Sequence, residues 1–230
     1  MCGRYTLRRT AGEVAEAFEA TPLGDVDWPG PRYNIAPTQN ALFVRAGAEA
    51  GRELAQGRWG LVPFWVDDPD DFPTLINARA ESAPEKPSFR DAFRKRRCLV
   101  PADGFYEWQK QNGGPKQPFH IRLRDDRPFA FAGLWERWGE REEGDCFRSY
   151  TILTTDASDL VATVHDRQPA FLLPGDYDAW LDPSSSKDEL QEMLTPVEPE
   201  GLELRPIGRR VNDPSNDDPS VLEAEAAGGG

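Results

Sequence analysis

Cys2 follows the initiator methionine, so removal of Met1 leaves an α-amine and a thiol on adjacent carbons of one residue. An α-amine has a pKa of about 7.7–8.0 and a free thiol about 8.5, so near neutrality a useful fraction of each is deprotonated. Together they can capture an aldehyde: the amine forms a Schiff base, and the sulfur closes a five-membered thiazolidine. The second step is intramolecular, of the kind that reaches effective molarities of about 10⁵–10⁸ M. The plainer reading of Cys2 is an incidental second residue of a buried first strand. What distinguishes the two is whether the rest of the chain supplies partners.

Four further segments are dense in polar and aromatic groups. Arg58-Trp-Gly-Leu-Val-Pro-Phe-Trp65 brackets Gly and Pro with tryptophans, which suits either core packing at a loop or a surface that stacks on bases. In Asn77-Ala-Arg79 an extended backbone puts the amide and the guanidinium on one face, fit for a sugar hydroxyl and a phosphate. An Arg79–Glu81 ion pair fits the same spacing. Glu107 lies between Tyr106 and Trp108 in a strand otherwise suited to burial. A desolvated carboxyl there has a raised pKa and suits general acid/base work, whereas an outward-facing Glu has no such role. His165 falls where a helix should end and heads His165-Asp-Arg167-Gln-Pro169, a turn that joins a proton donor to an arginine; capping the helix is the alternative use. Cys98 reads as a small core hydrophobe and His120 as an ordinary strand residue. Cys2, His165 and Asn77 could also make a Cys–His protease, or Cys2 an N-terminal-nucleophile amidohydrolase. Neither of these uses the neighbouring arginines and tryptophans.

These side chains must be positioned by a chain of 230 residues, enough for one large domain with a full core. A first strand at Gly3–Leu7 leads into a helix opened by the capping box Thr10-x-x-Glu13. Pro- and Gly-rich loops run from Pro22 to Gln39. Alternating apolar runs predict strands near Ala41–Arg45, Cys98–Pro101, Phe105–Gln109, Phe119–Leu123, Phe129–Ala132 and Ser149–Thr154, and helices from Ser88, over Asp156–Val164 and over Ser184–Leu194. The expected class is α+β: a single domain with a curved, mainly antiparallel, barrel-like β core flanked by short helices. The domain is expected over 1–212, with 213–230 a disordered acidic tail. Three cysteines without CxxC spacing and two histidines predict neither a disulfide framework nor a metal site, and no cofactor is indicated. No apolar run is long enough for a membrane span and no signal peptide is expected. The net charge of −13 speaks against a generally basic nucleic-acid binder, yet 22 of the 27 basic residues are arginine. Arginine is suited to bidentate phosphate contacts, which leaves room for a local basic cleft within an acidic surface.

Met1-Cys-Gly-Arg-Tyr5, Tyr33-Asn-Ile-Ala-Pro-Thr-Gln39, Trp59-Gly-Leu-Val-Pro63, Asn77-Ala-Arg79, Arg97-Cys-Leu-Val-Pro-Ala-Asp-Gly-Phe-Tyr-Glu-Trp108, Ala132-Gly-Leu-Trp135 and His165-Asp-Arg167 occur in this order. Together they resemble the SOS response-associated peptidase (SRAP) family over residues 2–212. The resemblance implies self-attachment to abasic sites in single-stranded DNA during replication-coupled repair. It assigns the amine and thiol to Cys2, sugar binding and orientation of Cys2 to Asn77, proton transfer to Glu107, and assistance in Schiff-base chemistry to His165. Arg4, Arg79 and Arg167 would grip flanking phosphates, Trp65 and Trp108 would support neighbouring nucleotides, and Thr154 would add a backbone contact. The sparse cysteines predict a reducing cytoplasm, with nucleoid association when the protein is bound to DNA; no heptad or extra apolar face is found, so a monomer is expected, and replication-fork partners are left open. A thiol (auto)peptidase using Cys2, and a non-catalytic binder of single-stranded DNA, are the alternatives. Gln168 departs from the family, which often has Met there.

Overall fold

The computed structural model describes residues 2–48, 51–139 and 146–224, and in them the alternating segments become strands around one core. The chain runs β1 (Tyr5–Leu7), α1 (Ala11–Ala17), β2 (Ala20–Pro22), β3 (Arg32–Ile35), β4 (Asn40–Ala46), β5 (Arg52–Trp59), β6 (Asn77–Arg79), α2 (Arg90–Lys95) and β7 (Arg97–Ala102). It continues through β8 (Gly104–Gln109), β9 (Gln117–Leu123), β10 (Phe129–Trp138), β11 (Phe147–Asp156), α3 (Asp159–Ala162), β12 (Arg167–Pro169) and β13 (Phe171–Leu172), then α4 (Tyr177–Leu181), α5 (Lys187–Glu192) and β14 (Leu202–Pro206). The α+β class with a barrel-like, mainly antiparallel core is as the sequence predicts. Among the described residues no helix is long and apolar enough to cross a membrane.

Five strands close into a barrel. β11, β10, β7, β4 and β5 pair antiparallel in turn, and β5 returns to β11 in parallel, Arg58 opposite Ser149 and Trp59 opposite Tyr150. Closure leaves the ring without an open edge. The second sheet, in the order β14-β9-β8-β1-β3, is antiparallel throughout. It lies against the barrel through Tyr5 edge-on to Trp59 and Phe105 edge-on to Phe131 and Phe171. β7 is buried along its whole length, which is why its sequence is a continuous apolar run with one charge. That charge, Arg97, donates to the carbonyls of Phe93 and Arg94 at the end of α2 and of Trp180 and Asp182 at the end of α4. One guanidinium therefore satisfies the last carbonyls of two helices.

The differences from expectation have local causes. β3 and β5 were hidden, β3 by the surrounding Pro and Gly and β5 by its charged outward residues. Asp156 pairs with Arg167 across β11 and β12, so the sheet keeps it and the helix begins only after Ser158, whose hydroxyl caps it. Ser88 does not cap α2, which starts after Phe89. The expected tail is a correction. Residues 213–224 pack on the domain: Val221 is fully buried, and Asp217 accepts from the backbone N–H groups of Tyr33 and Asn34 and pairs with Arg32. Asn34 Nδ2 donates to the carbonyls of Val211, Asp213 and Asn216. An acidic composition predicts solvation, but here one carboxylate finds three donors. Residues 225–230 of the expected tail lie outside the described residues.

His120 is indeed a core residue. Its ring lies on Tyr106 and beneath Gly104, where an added Cβ would sit 2.0 Å from Nε2. Burial, with help from the nearby charges of Arg8 and Arg122, pushes its pKa down to about 3. The unfolded chain binds this proton at about pH 6.5 and the folded chain does not, so the contribution to stability is full above 6.5 and is lost as pH falls toward 3. His120→Gln should therefore lose less stability than wild type between pH 7 and pH 4.5, as read from urea midpoints.

Candidate active site

β1 and β8 run side by side, and β11 carries β6 on one edge and β12 on the other. These pairings bring residues 2, 77, 107 and 165 to one mouth of the barrel although they are spread over most of the chain. Cys2 is fully buried, with Sγ 3.6 Å from the carbonyl of Arg4. Its own carbonyl accepts a hydrogen bond of 2.7 Å from Asn77 Nδ2. Asn77 Oδ1 is buried and without a hydrogen-bond partner among the described residues, so an acceptor is held ready for a ligand hydroxyl. In β6 Ala78 turns into the core while Asn77 and Arg79 share the other face, as the extended reading requires.

Glu107 is 2% exposed, which excludes the outward-facing alternative. Burial raises its pKa, an effect opposed in part by the His165 charge. His165 Nε2 stands 4.0 Å from Glu107 Oε2. The backbone N–H of Arg167 lies 3.0 Å from His165 Nδ1, and Asp166 Oδ1 lies 3.0 Å from the same nitrogen, so the His–x–Arg turn holds the ring with Nε2 facing Glu107. The Cys2 thiol is pushed up, first by burial and then by the negative charge of Glu107. With Met1 attached it is a neutral thiol beside a carboxyl that favours its proton form.

The residues expected to grip DNA differ in how they are held. Arg79 is exposed, and its guanidinium makes no hydrogen bond or ion pair among the described residues. The Arg79–Glu81 pair does not form; Glu81 instead pairs with Arg167. Arg4 donates to Asn34 Oδ1, to the Val211 carbonyl at 2.7 Å and to the Asn212 carbonyl, so it is built into the C-terminal segment. Trp108 is tied to the same segment through Nε1 and Asn212 Oδ1. Trp65 is 48% exposed, edge-on to Phe72, beside Phe64 at 54% with the Arg96 guanidinium over its ring. Thr154 is 1% exposed near the end of β11; its hydroxyl lies 3.5 Å from the Ala78 carbonyl, and its own carbonyl accepts from Arg167 and so anchors that arginine. Gln168 is also fully buried, bonding the Ser158 N–H and the Val197 carbonyl. A Met could not make those two bonds, so here the position serves the fold.

Asn34, Phe64 and Asp156 were not singled out from sequence. For Asn34 a signal existed, an amide inside the Tyr33–Gln39 motif, but its four partners come from positions 4, 211, 213 and 216.

Glu107 is expected to titrate above the ordinary carboxylate range, and to move further up in His165→Ala because a favourable positive charge is lost; carboxyl carbon chemical shifts read both. Asp217→Ala should free residues 213–224, seen as proteolytic cleavage there with the rest of the domain intact.

The family model described as SOS response associated peptidase (SRAP) matches residues 1–214. The abasic site processing protein YoqW of Bacillus subtilis (strain 168) is 38% identical over 97% of this chain and 100% of its own. The abasic site processing protein HMCES of Xenopus tropicalis is 33% identical over 97% of this chain and 78% of its own. A crystal structure of a protein from Bacteroides thetaiotaomicron superimposes with a TM-score of 0.86 at 28% identity, covering 98% of this chain and all of that one.

Proposed function

The chain belongs to the SOS response associated peptidase (SRAP) family, and from that membership we propose that it recognises abasic sites in single-stranded DNA and attaches itself to them through Cys2 once Met1 is removed. The observation that carries this is the Cys2 carbonyl held by Asn77, together with a buried Glu107 whose pKa burial raises. An abasic sugar rests mostly as a closed hemiacetal. Protonated Glu107 supplies the proton that opens the ring to the aldehyde, with Asn77 Oδ1 accepting from a sugar hydroxyl. The α-amine adds to C1′, and loss of water gives the iminium. His165 and Glu107 move the protons of these two steps. The thiol then adds to C1′, forming the C–S bond as its proton passes to the Glu107 carboxylate. In sum, aldehyde, amine and thiol become a thiazolidine and one water. Closure removes the iminium that would otherwise invite strand cleavage by β-elimination.

The thiol (auto)peptidase reading requires an activated thiolate. Burial and the charge of Glu107 oppose that state in Cys2. The thiazolidine route needs no free thiolate, because the electrophile is already bonded to the adjacent amine. Exposed Arg79 and the aromatic pair Phe64 and Trp65 provide phosphate and base contacts flanking the sugar. The protein acts as a monomer in the cytoplasm, at DNA that replication has left single-stranded.

Denaturing gels with a single-stranded oligonucleotide carrying one abasic site test this directly. Wild type should give a heat-stable adduct, and Cys2→Ala or one extra residue before Cys2 should abolish it. Glu107→Gln should slow adduct formation by about 10²–10⁴-fold, the usual worth of a general acid/base. An undiminished adduct from Cys2→Ala would overturn the proposal.

A further inference from the structure

The family resemblance assigns Arg167 to a phosphate, yet both terminal nitrogens of its guanidinium are engaged in the free protein, while Nε is buried without a hydrogen-bond partner among the described residues. Nη1 donates to Glu81 Oε1 at 2.5 Å and Asp156 Oδ1 at 2.6 Å. Nη2 donates to Glu81 Oε2 at 3.0 Å and the Thr154 carbonyl at 2.6 Å. The Arg167 side chain is only 13% exposed, whereas those of Glu81 and Asp156 are 53% and 77% exposed. Solvent therefore reaches the guanidinium through the two carboxylates. The pairing with Glu81 is two parallel N–H···O bonds, the fork geometry that arginine also offers to a phosphate. Counted locally, one positive charge carries two negative ones, so this corner does not attract a polyanion.

We propose that Glu81, with Asp156, occupies on Arg167 the position of a DNA phosphate, so that strand entry at this site is an exchange of anions and these two carboxylates set the selectivity against intact strands. The proposal rests on the DNA-binding reading given above. Displacing an ion pair already made cancels most of the gain of the new one, because each bond to the phosphate replaces a bond to a carboxylate. An intact strand gains little by the exchange. A strand whose abasic sugar is captured by Cys2 is held in place, and its phosphate then competes with Glu81 as a tethered ligand at high effective concentration. The exposed, unpaired Arg79 is the cation that a displaced Glu81 still has nearby: its charge already helps to hold the Glu81 carboxyl below the usual range, after the larger effect of Arg167. Thr154 keeps the guanidinium in place during the exchange through a backbone carbonyl that a phosphate does not displace.

Equilibrium binding of a fluorescent intact single-stranded oligonucleotide, titrated over a range of salt, tests the exchange for wild type, Glu81→Gln, Arg167→Ala and the double variant. Glu81→Gln should bind about two- to fivefold more tightly, the worth of an exposed ion pair. Its plot of log affinity against log salt should steepen by about 0.7, one added phosphate contact on a single strand. Adding Arg167→Ala should remove both changes, and Glu81→Gln should narrow the preference for abasic over intact DNA. If Glu81→Gln weakens binding as Arg167→Ala does, Glu81 merely orients the arginine and the proposal fails. An unchanged affinity and salt slope also overturns it. Because this measurement uses intact DNA and needs no adduct, a wild type that binds but never crosslinks would sink the covalent function and leave the exchange standing; no DNA binding by any of the four proteins would sink both.

Discussion

Strand β11 is the constraint on which the rest depends, because both of its edges are shared between two neighbours. Along one edge it pairs with β10 and then with β12; along the other with β5 and then with β6. The pairing with β5 closes the barrel. The pairing with β6 delivers Asn77, and that with β12 delivers the His165–Arg167 turn. Because every backbone donor and acceptor buried in this strand must be matched, the register is fixed to the residue. A slip by one position would turn Asn77 into the core and Ala78 to the mouth. The chemistry is thus positioned by backbone hydrogen bonds made several residues away from the reacting groups.

That rigidity is needed because the site is an unfavourable arrangement. A carboxyl and a thiol are buried together at the mouth, in a medium where a charge on either is costly. Nearby positive charge, His165 at 4.0 Å included, offsets only part of this cost, and burial still raises the Glu107 pKa. The result is a carboxyl and a thiol whose pKa values are both raised, chiefly by burial. At Arg167 the opposite solution is used: its guanidinium pairs with Glu81 and Asp156. The same net charge of −13 that speaks against DNA binding is therefore locally part of how the binding residues are held.

Much of the site was legible in the chain. Cys2, Asn77, Glu107 and His165 could each be named because a titratable or amide group in an apolar or turn setting departs from what folding alone requires. The Thr10–Glu13 capping box, the alternating strand β9 and the apolar runs of β8 and β10 were also legible, because hydrogen bonds over three residues and short apolar patterns are local. Thr154 shows the other side of this: its polarity is local, but its burial is set by β6 and β12 on either side. The segment after Asp213 misled because composition reports average solvation. It does not show that Arg32 and two backbone N–H groups wait for Asp217.

By itself, then, the sequence determined the strand-rich class and named the candidate reactive groups and the residue types suited to a sugar and its phosphates, since each of these follows from side-chain chemistry and short-range periodicity. Only the tertiary structure decided the partners. It turned Glu81 to Arg167 and not to Arg79, placed Arg4 and Trp108 under the C-terminal segment, and turned Nε2 of His165 toward Glu107. Those outcomes depend on contacts between positions scores of residues apart, where the free energy of an ion pair or hydrogen bond is set by which group the backbone register brings within about 3 Å, and no local pattern encodes that distance.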